Sequence, residues 1–138
     1  MSDNLWEEYR RTKFWVDDQS HRFFIIVDEL SPELDRLLTL HHAKEWAYRT
    51  AHNPRPQRMT AGDHNRRNQR LLKRMLGHGF PCFKGKGVGE EGEWPPEDSY
   101  LILGISRLDA ISLEVEFGQN AIVVGRRGKA PEIVECKD

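Results

Sequence analysis

Thr50, His52 and Asn53 stand where an alternating stretch, Trp46-Ala-Tyr-Arg-Thr-Ala51, runs into Asn53-Pro54-Arg55-Pro56. Proline removes backbone donors and biases its predecessor toward extended geometry, so a strand here stops with small polar side chains at its tip. A second polar group follows on a helix. On a wheel at about 100° per residue, Leu71, Leu72, Met75 and Leu76 of residues 60–77 share one face. That stripe continues toward the N-terminus through Asn68, Asn65 and His64, while Arg66, Arg70, Lys73 and Arg74 fall opposite. A buried amide without a partner costs about 1–3 kcal/mol. Asn65 and Asn68 therefore need partners, and the helix start beside them offers free N–H groups. With a short connection, Thr50, Asn53, Asn65 and Asn68 converge on a polar ligand. The structural alternative is that they satisfy one another and fix a loop.

Further along, Glu97 precedes an apolar run and follows Trp94, and a carboxylate beside apolar surface can be tuned as an acid or a base. It is also one of five acids in the run Glu90, Glu91, Glu93, Glu97 and Asp98, which reads equally well as solvated loop. Ser99 can position a ligand, but no Gly-x-Ser-x-Gly elbow surrounds it, which argues against a nucleophile. Gly85-Lys-Gly-Val-Gly89 has glycines and a lysine, yet Lys86 is not followed by Ser or Thr and no helix follows, so it is not a phosphate loop. A loop over a cleft, spanning residues 85–98, is the expectation. The six histidines fall at no recognised ligand spacing, although His52 and His64 could meet near the helix start with Cys82 as a distant third. No metal or other cofactor is assigned.

The elements that must hold these groups follow from periodicity. A first helix is predicted over residues 3–12, a strand over 22–30, and a short helix over 33–40 behind the cap Ser31-Pro32. Strands over 46–51 and 80–84, a helix over 60–77 and a buried strand over 99–105 come next. Ser106 caps a helix that stops at Gly118, and residues 120–125 and 132–136 form a hairpin around Arg126-Arg-Gly128. The expected fold is α+β, with a ferredoxin-like β-α-β-β-α-β core over residues 44–138 and an added N-terminal strand and helix within residues 1–43. Its helices pack on one face of a mainly antiparallel sheet.

The 138 residues suit a single domain. No apolar run approaches the roughly 18 residues of a membrane span, and no signal segment is visible, so the expectation is a cytoplasmic protein. Two cysteines are too few for a disulfide framework, and a net charge of −1 disfavours nucleic-acid binding through overall charge. Charge is segregated, however: Arg55, Arg58, Arg66, Arg67, Arg70, Lys73 and Arg74 face only Asp63 within residues 55–74. With little aromatic interleaving, that run reads as solvated surface before it reads as a nucleic-acid grip.

Thr50-Ala51-x-Asn53-Pro54, Asn65, a glycine-rich stretch leading to Trp94…Glu97-x-Ser99, and Phe117-Gly118-Gln119-Asn120-Ala121 occur in that order. In this the chain resembles an uncharacterised bacterial family, Domain of Unknown Function 3293, over about residues 44–125. The resemblance implies a small bacterial protein and no particular activity. It singles out Thr50, Asn53, Pro54, Asn65, Trp94, Glu97, Ser99 and Gln119. Many members of that family have an aromatic residue at the position of His52, which argues against a catalytic His52.

The resulting expectation is a small polar or anionic ligand bound at the start of the 60–77 helix. Thr50, Asn53, Asn65 and Asn68 supply hydrogen bonds, Ser99 and Gln119 orient, Arg55 and Arg58 attract an anion at the rim, and Glu97 is the acid or base if chemistry occurs. The alternative is an interaction module whose basic 55–74 face meets an acidic protein or nucleic acid. Neither reading fixes a reaction or an oligomeric state.

Overall fold

The computed structural model describes residues 3–18, 21–49, 69–70, 73–75, 77–89, 92–93, 99–116 and 121–136. Along the chain lie α1 (Asp3–Arg10), β1 (Lys13–Asp17), β2 (Arg22–Ile25), α2 (Pro32–Leu40), β3 (Glu45–Arg49), β4 (Cys82–Gly89), β5 (Gly92–Glu93), β6 (Ser99–Leu103), α3 (Arg107–Glu116), β7 (Ala121–Arg126) and β8 (Glu132–Glu135). Residues 69–70, 73–75 and 77 are also helical. The strands form a single sheet in the order β2-β1-β4-β6-β3-β7-β8, with β5 paired to β4. Every pairing is antiparallel. The fold is α+β. No described helix is long and apolar enough to cross a membrane.

The period-two alternation of strands divides the core into two layers. Trp46, Tyr48, Leu101, Leu103 and Val123 point to one face, where Leu34, Leu37 and Leu38 of α2 cover them. Ala47, Ile102, Ile122 and Val124 point to the other, under Met75 and under Ala110 and Leu113 of α3. Helices therefore cover both faces, not one as expected. The reason is visible in β3 and β6, which are apolar on both sides and cannot leave either side in water.

Helix α2 begins where the sequence says it should. Ser31 is extended at φ −126°, its side chain accepts from the Leu34 N–H, and Pro32 opens the first turn. It ends as the Ala43 N–H reaches back to the Leu38 carbonyl at 2.8 Å, with His42 in the left-handed region at φ 55°.

Two further expectations need correction. The N-terminal part holds two strands rather than one, because β1 precedes β2 and pairs with it from Phe14↔Ile25 to Asp17↔Arg22. Its two inward residues, Phe14 and Val16, are fully buried. The predicted strand over 22–30 is correspondingly short, ending at Ile25, and Asp28 turns the chain at φ 70°. Second, Gly85–Gly89 is not loop. It is the latter half of β4, paired to β1 from Lys13↔Val88 to Val16↔Gly85 and to β6 at Gly85↔Ser99. A Cβ at Gly85 would run into the Trp15 carbonyl oxygen and the Tyr48 hydroxyl. Glycine is there for a close approach inside the sheet, not for freedom in a loop.

Candidate functional site

Strand β3 lies between β6 and β7, with Arg49 opposite Tyr100 and Tyr48 opposite Val123. The last residue of β3 thus lies beside the first residues of β6 and β7, Ser99 and Ala121, at one end of the sheet. Helix α3 approaches the same end and brings Glu114 to Arg49. Their Nε–Oε1 distance is 3.1 Å, with side chains 3% and 1% exposed. Two opposite charges thus meet at close range inside the core. Burial nevertheless raises the Glu114 carboxyl above its ordinary value, against the opposing pull of the Arg49 charge.

On the other face of the same sheet end, Tyr48 and Ser99 are both fully buried. The Tyr48 hydroxyl donates to the Trp15 carbonyl at 2.6 Å and is hydrogen-bonded to Ser99. Burial pushes the phenol upward, well outside the range in which it would titrate. Polar groups thus lie within both layers at this one end. Ser99 is the predicted site residue that the described structure contains, and it supports the Tyr48 contact from inside the core. Thr50, Asn53, Arg55, Arg58, Asn65, Asn68, Glu97 and Gln119 lie outside the described residues, as do His52 and His64.

Arg49, Glu114 and Tyr48 were not singled out by sequence. A signal was there for two of them: Arg49 follows the apolar run Trp46-Ala-Tyr48, and Glu114 sits between Leu113 and Val115 in α3. A charge at a core position demands a partner. Cys82 is half-buried, and burial pushes its thiol up to about 11, which disfavours the reactive thiolate. Among the described residues, no group of three His, Cys, Asp or Glu is placed to hold a metal ion.

The opposite end of the sheet is built from backbone contacts. Leu103 donates to the Pro81 carbonyl at 2.9 Å, and Gly104 to the Glu45 carbonyl at 2.7 Å. The helical residues before His78 therefore finish at that far end.

A family model described as "Protein of unknown function (DUF3293)" matches residues 50–122. The match begins one residue after Arg49 and contains Ser99 and Glu114. No curated protein and no solved structure matches the chain.

Proposed function

The chain belongs to the DUF3293 family of proteins of unknown function, and we propose that it binds a small polar or anionic molecule at the sheet end marked by Arg49 and Ser99. The observation carrying this reading is the meeting of three element termini, those of β3, β6 and β7, beside the buried Arg49–Glu114 pair. The sequence that leaves or enters these termini is Thr50 to Asn53, Trp94 to Asp98 and Phe117 to Asn120, which together hold most of the family's motif residues.

In this reading Thr50, Asn53, Asn65 and Asn68 hydrogen-bond the ligand. Arg55 and Arg58 attract an anionic group at the rim. Ser99 and Gln119 orient, Ser99 from within the core through Tyr48. Glu97 serves as acid or base if the molecule reacts. The strand order β4-β6-β3-β7 also supports taking these strands, the helical residues before His78 and α3 as a ferredoxin-like core. A bacterial, cytoplasmic setting belongs to the same proposal.

The second reading, a basic interaction face over residues 55–74, draws on the exposure of Arg70 and Lys73. A thermal-shift screen against nucleotides, sugar phosphates and amino acids separates the two. A ligand at about a hundred times its dissociation constant stabilises the fold by roughly 2.7 kcal/mol. The site reading expects such a shift, lost in Asn65→Ala and unchanged in Arg66→Glu/Arg70→Glu. A shift lost in the arginine pair alone favours the basic face, and no shift with any compound overturns the site.

A further inference from the structure

Strand β2 ends the sheet on one side, with β1 as its neighbour among the described strands. Just before it, Asp18 and His21 exchange both main-chain bonds. The Asp18 N–H donates to the His21 carbonyl at 2.9 Å, and the His21 N–H donates to the Asp18 carbonyl at 3.2 Å. In an antiparallel ladder such bonded pairs alternate with unbonded ones. The register then makes Val16 with Phe23 and Phe14 with Ile25 the next bonded pairs, while Asp17 with Arg22 and Trp15 with Phe24 are unbonded. The N–H and C=O groups of Arg22 and Phe24 consequently point away from β1. Among the described residues no main chain meets them there, and both residues are exposed. An edge of this kind is a template for a further strand.

A cavity of about 370 Å³ runs along the same edge. It is touched by Arg22, Phe23 and Phe24 in succession. Consecutive strand residues point to opposite faces, so the cavity lies beside the strand and not over either face. Its other wall comes from the chain leading into α2. Ile26 and Leu30 make that wall apolar, with Leu30 66% exposed, and Glu29 and Glu33 add two carboxylates. Neither carboxylate has an ion pair among the described residues. The Arg22 guanidinium is engaged elsewhere, 5.9 Å from the centroid of the Trp15 ring. We propose that an extended segment of a partner protein adds to β2 along this edge. It bonds to the main chain of Arg22 and Phe24 and places a lysine or arginine in the cavity, the stem on Leu30 and the cation at Glu29 and Glu33.

When a strand is added to a sheet edge, main-chain pairing supplies the docking and pockets for alternate side chains supply the selectivity. A long basic side chain suits this cavity because its methylene stem covers apolar surface while its charged head reaches a carboxylate. An acidic residue at the same position meets two like charges. The length of the edge decides between a peptide and a second copy. It offers four residues, Arg22–Ile25, and two such strands paired across a two-fold axis fall well short of the roughly 1,200 Å² of a stable interface. A transient peptide partner needs no more than this.

The test uses the full chain and a fluorescein-labelled peptide, Gly-Thr-Val-Arg-Val-Thr-Gly, followed by anisotropy. The expected result is saturable binding that weakens as salt rises. Glutamate in place of the peptide's arginine, or Glu29→Gln/Glu33→Gln in the protein, is expected to weaken binding about tenfold. Phe24→Pro removes an N–H that makes no bond to β1, a change that an outer strand tolerates, and is expected to abolish binding. Phe24→Ala keeps that N–H and is expected to retain it. Thermal unfolding of each variant checks that the fold survives. The same peptide N-methylated throughout, which cannot donate to the edge, is expected not to bind and tests the pairing without any change to the protein. No saturable binding, or equal affinity for the glutamate peptide, overturns the proposal. So does equal affinity for the N-methylated peptide, which would leave a side-chain pocket without strand addition. A dimer in sedimentation that Phe24→Pro dissociates would assign the edge to a second copy instead. Asn65→Ala is expected to leave peptide binding unchanged, so the outcome is independent of the small-molecule site.

Discussion

The hydroxyl of Tyr48 donates to the main-chain carbonyl of Trp15 at 2.6 Å, passing over Gly85 of β4. Strand β3 is thereby tied to β1 across β4 and β6, over a position where any side chain would collide with both partners.

Gly85→Ala is therefore expected to destabilise the protein by about 2–4 kcal/mol, because the added methyl meets backbone as well as a side chain. Tyr48→Phe removes the hydrogen bond, at a cost of about 1 kcal/mol. In the double variant the phenol oxygen is gone while the clash with the carbonyl stays. The two costs are then expected to sum to less than their separate values, by roughly 0.5–1 kcal/mol. Urea unfolding of the four proteins measures the coupling, and strict additivity would show that Gly85 and Tyr48 are not in contact.

The Arg49–Glu114 pair sets a pH dependence. The Glu114 carboxyl is raised above its ordinary value of 4.5, with burial the largest cause. The folded chain thus holds this proton more tightly than the unfolded chain does. The associated stability is fully present below the unfolded value and is lost as pH rises through the folded one. Glu114→Gln is expected to remove that slope just above pH 4.5. Arg49→Met takes away the opposing charge, so it is expected to extend the slope to higher pH and to cost about 3–5 kcal/mol near neutrality. Arg49→Met/Glu114→Leu is expected to recover most of that loss. Unfolding curves across pH decide it, and a wild-type slope that persists in Glu114→Gln would assign the titration to another group.

Ser31 caps α2 by accepting from the Leu34 N–H at 3.3 Å. Ser31→Ala is expected to cost about 1 kcal/mol, read as a lower melting temperature, while Ser31→Asp is expected to hold most of the stability.

How much of this was legible depended on whether the determinant was local. The Ser31-Pro32 cap is written in adjacent letters, as is the Gly128 turn at φ 81° between β7 and β8. The buried run Leu101-Ile-Leu103 was equally plain. Strand β1 was missed because only Phe14 and Val16 turn inward, between flanks as polar as those of a loop. The glycines of β4 misled for a deeper reason: Gly85 is required by Tyr48 and Trp15, both distant in sequence, and its spacing alone resembles flexible chain. The Arg49–Glu114 pair joins a strand to a helix far downstream, and neither residue's neighbours announce the other. Of the predicted site, Ser99 lies on described structure as a core hydroxyl, and the family match over residues 50–122 bears out the resemblance read from the sequence.

Cys82 opens β4 with its thiol pushed up to about 11 by burial, from an ordinary value of 9.0. Its Sγ lies 3.4 Å from the Phe80 carbonyl. Two pH units correspond to about a hundredfold less thiolate near pH 8, and the thiolate is the reactive form. In a Cys136→Ser background, Cys82 is expected to react with a disulfide reagent about a hundredfold more slowly in the folded chain than in urea. The rate should rise tenfold per pH unit up to the plateau of the folded thiol. Fast labelling at pH 8 in the folded protein would mean that the start of β4 opens readily. The near edge of the second core layer, where Phe80 and Cys82 pack beside Met75 and Ile102, would then be loose as well.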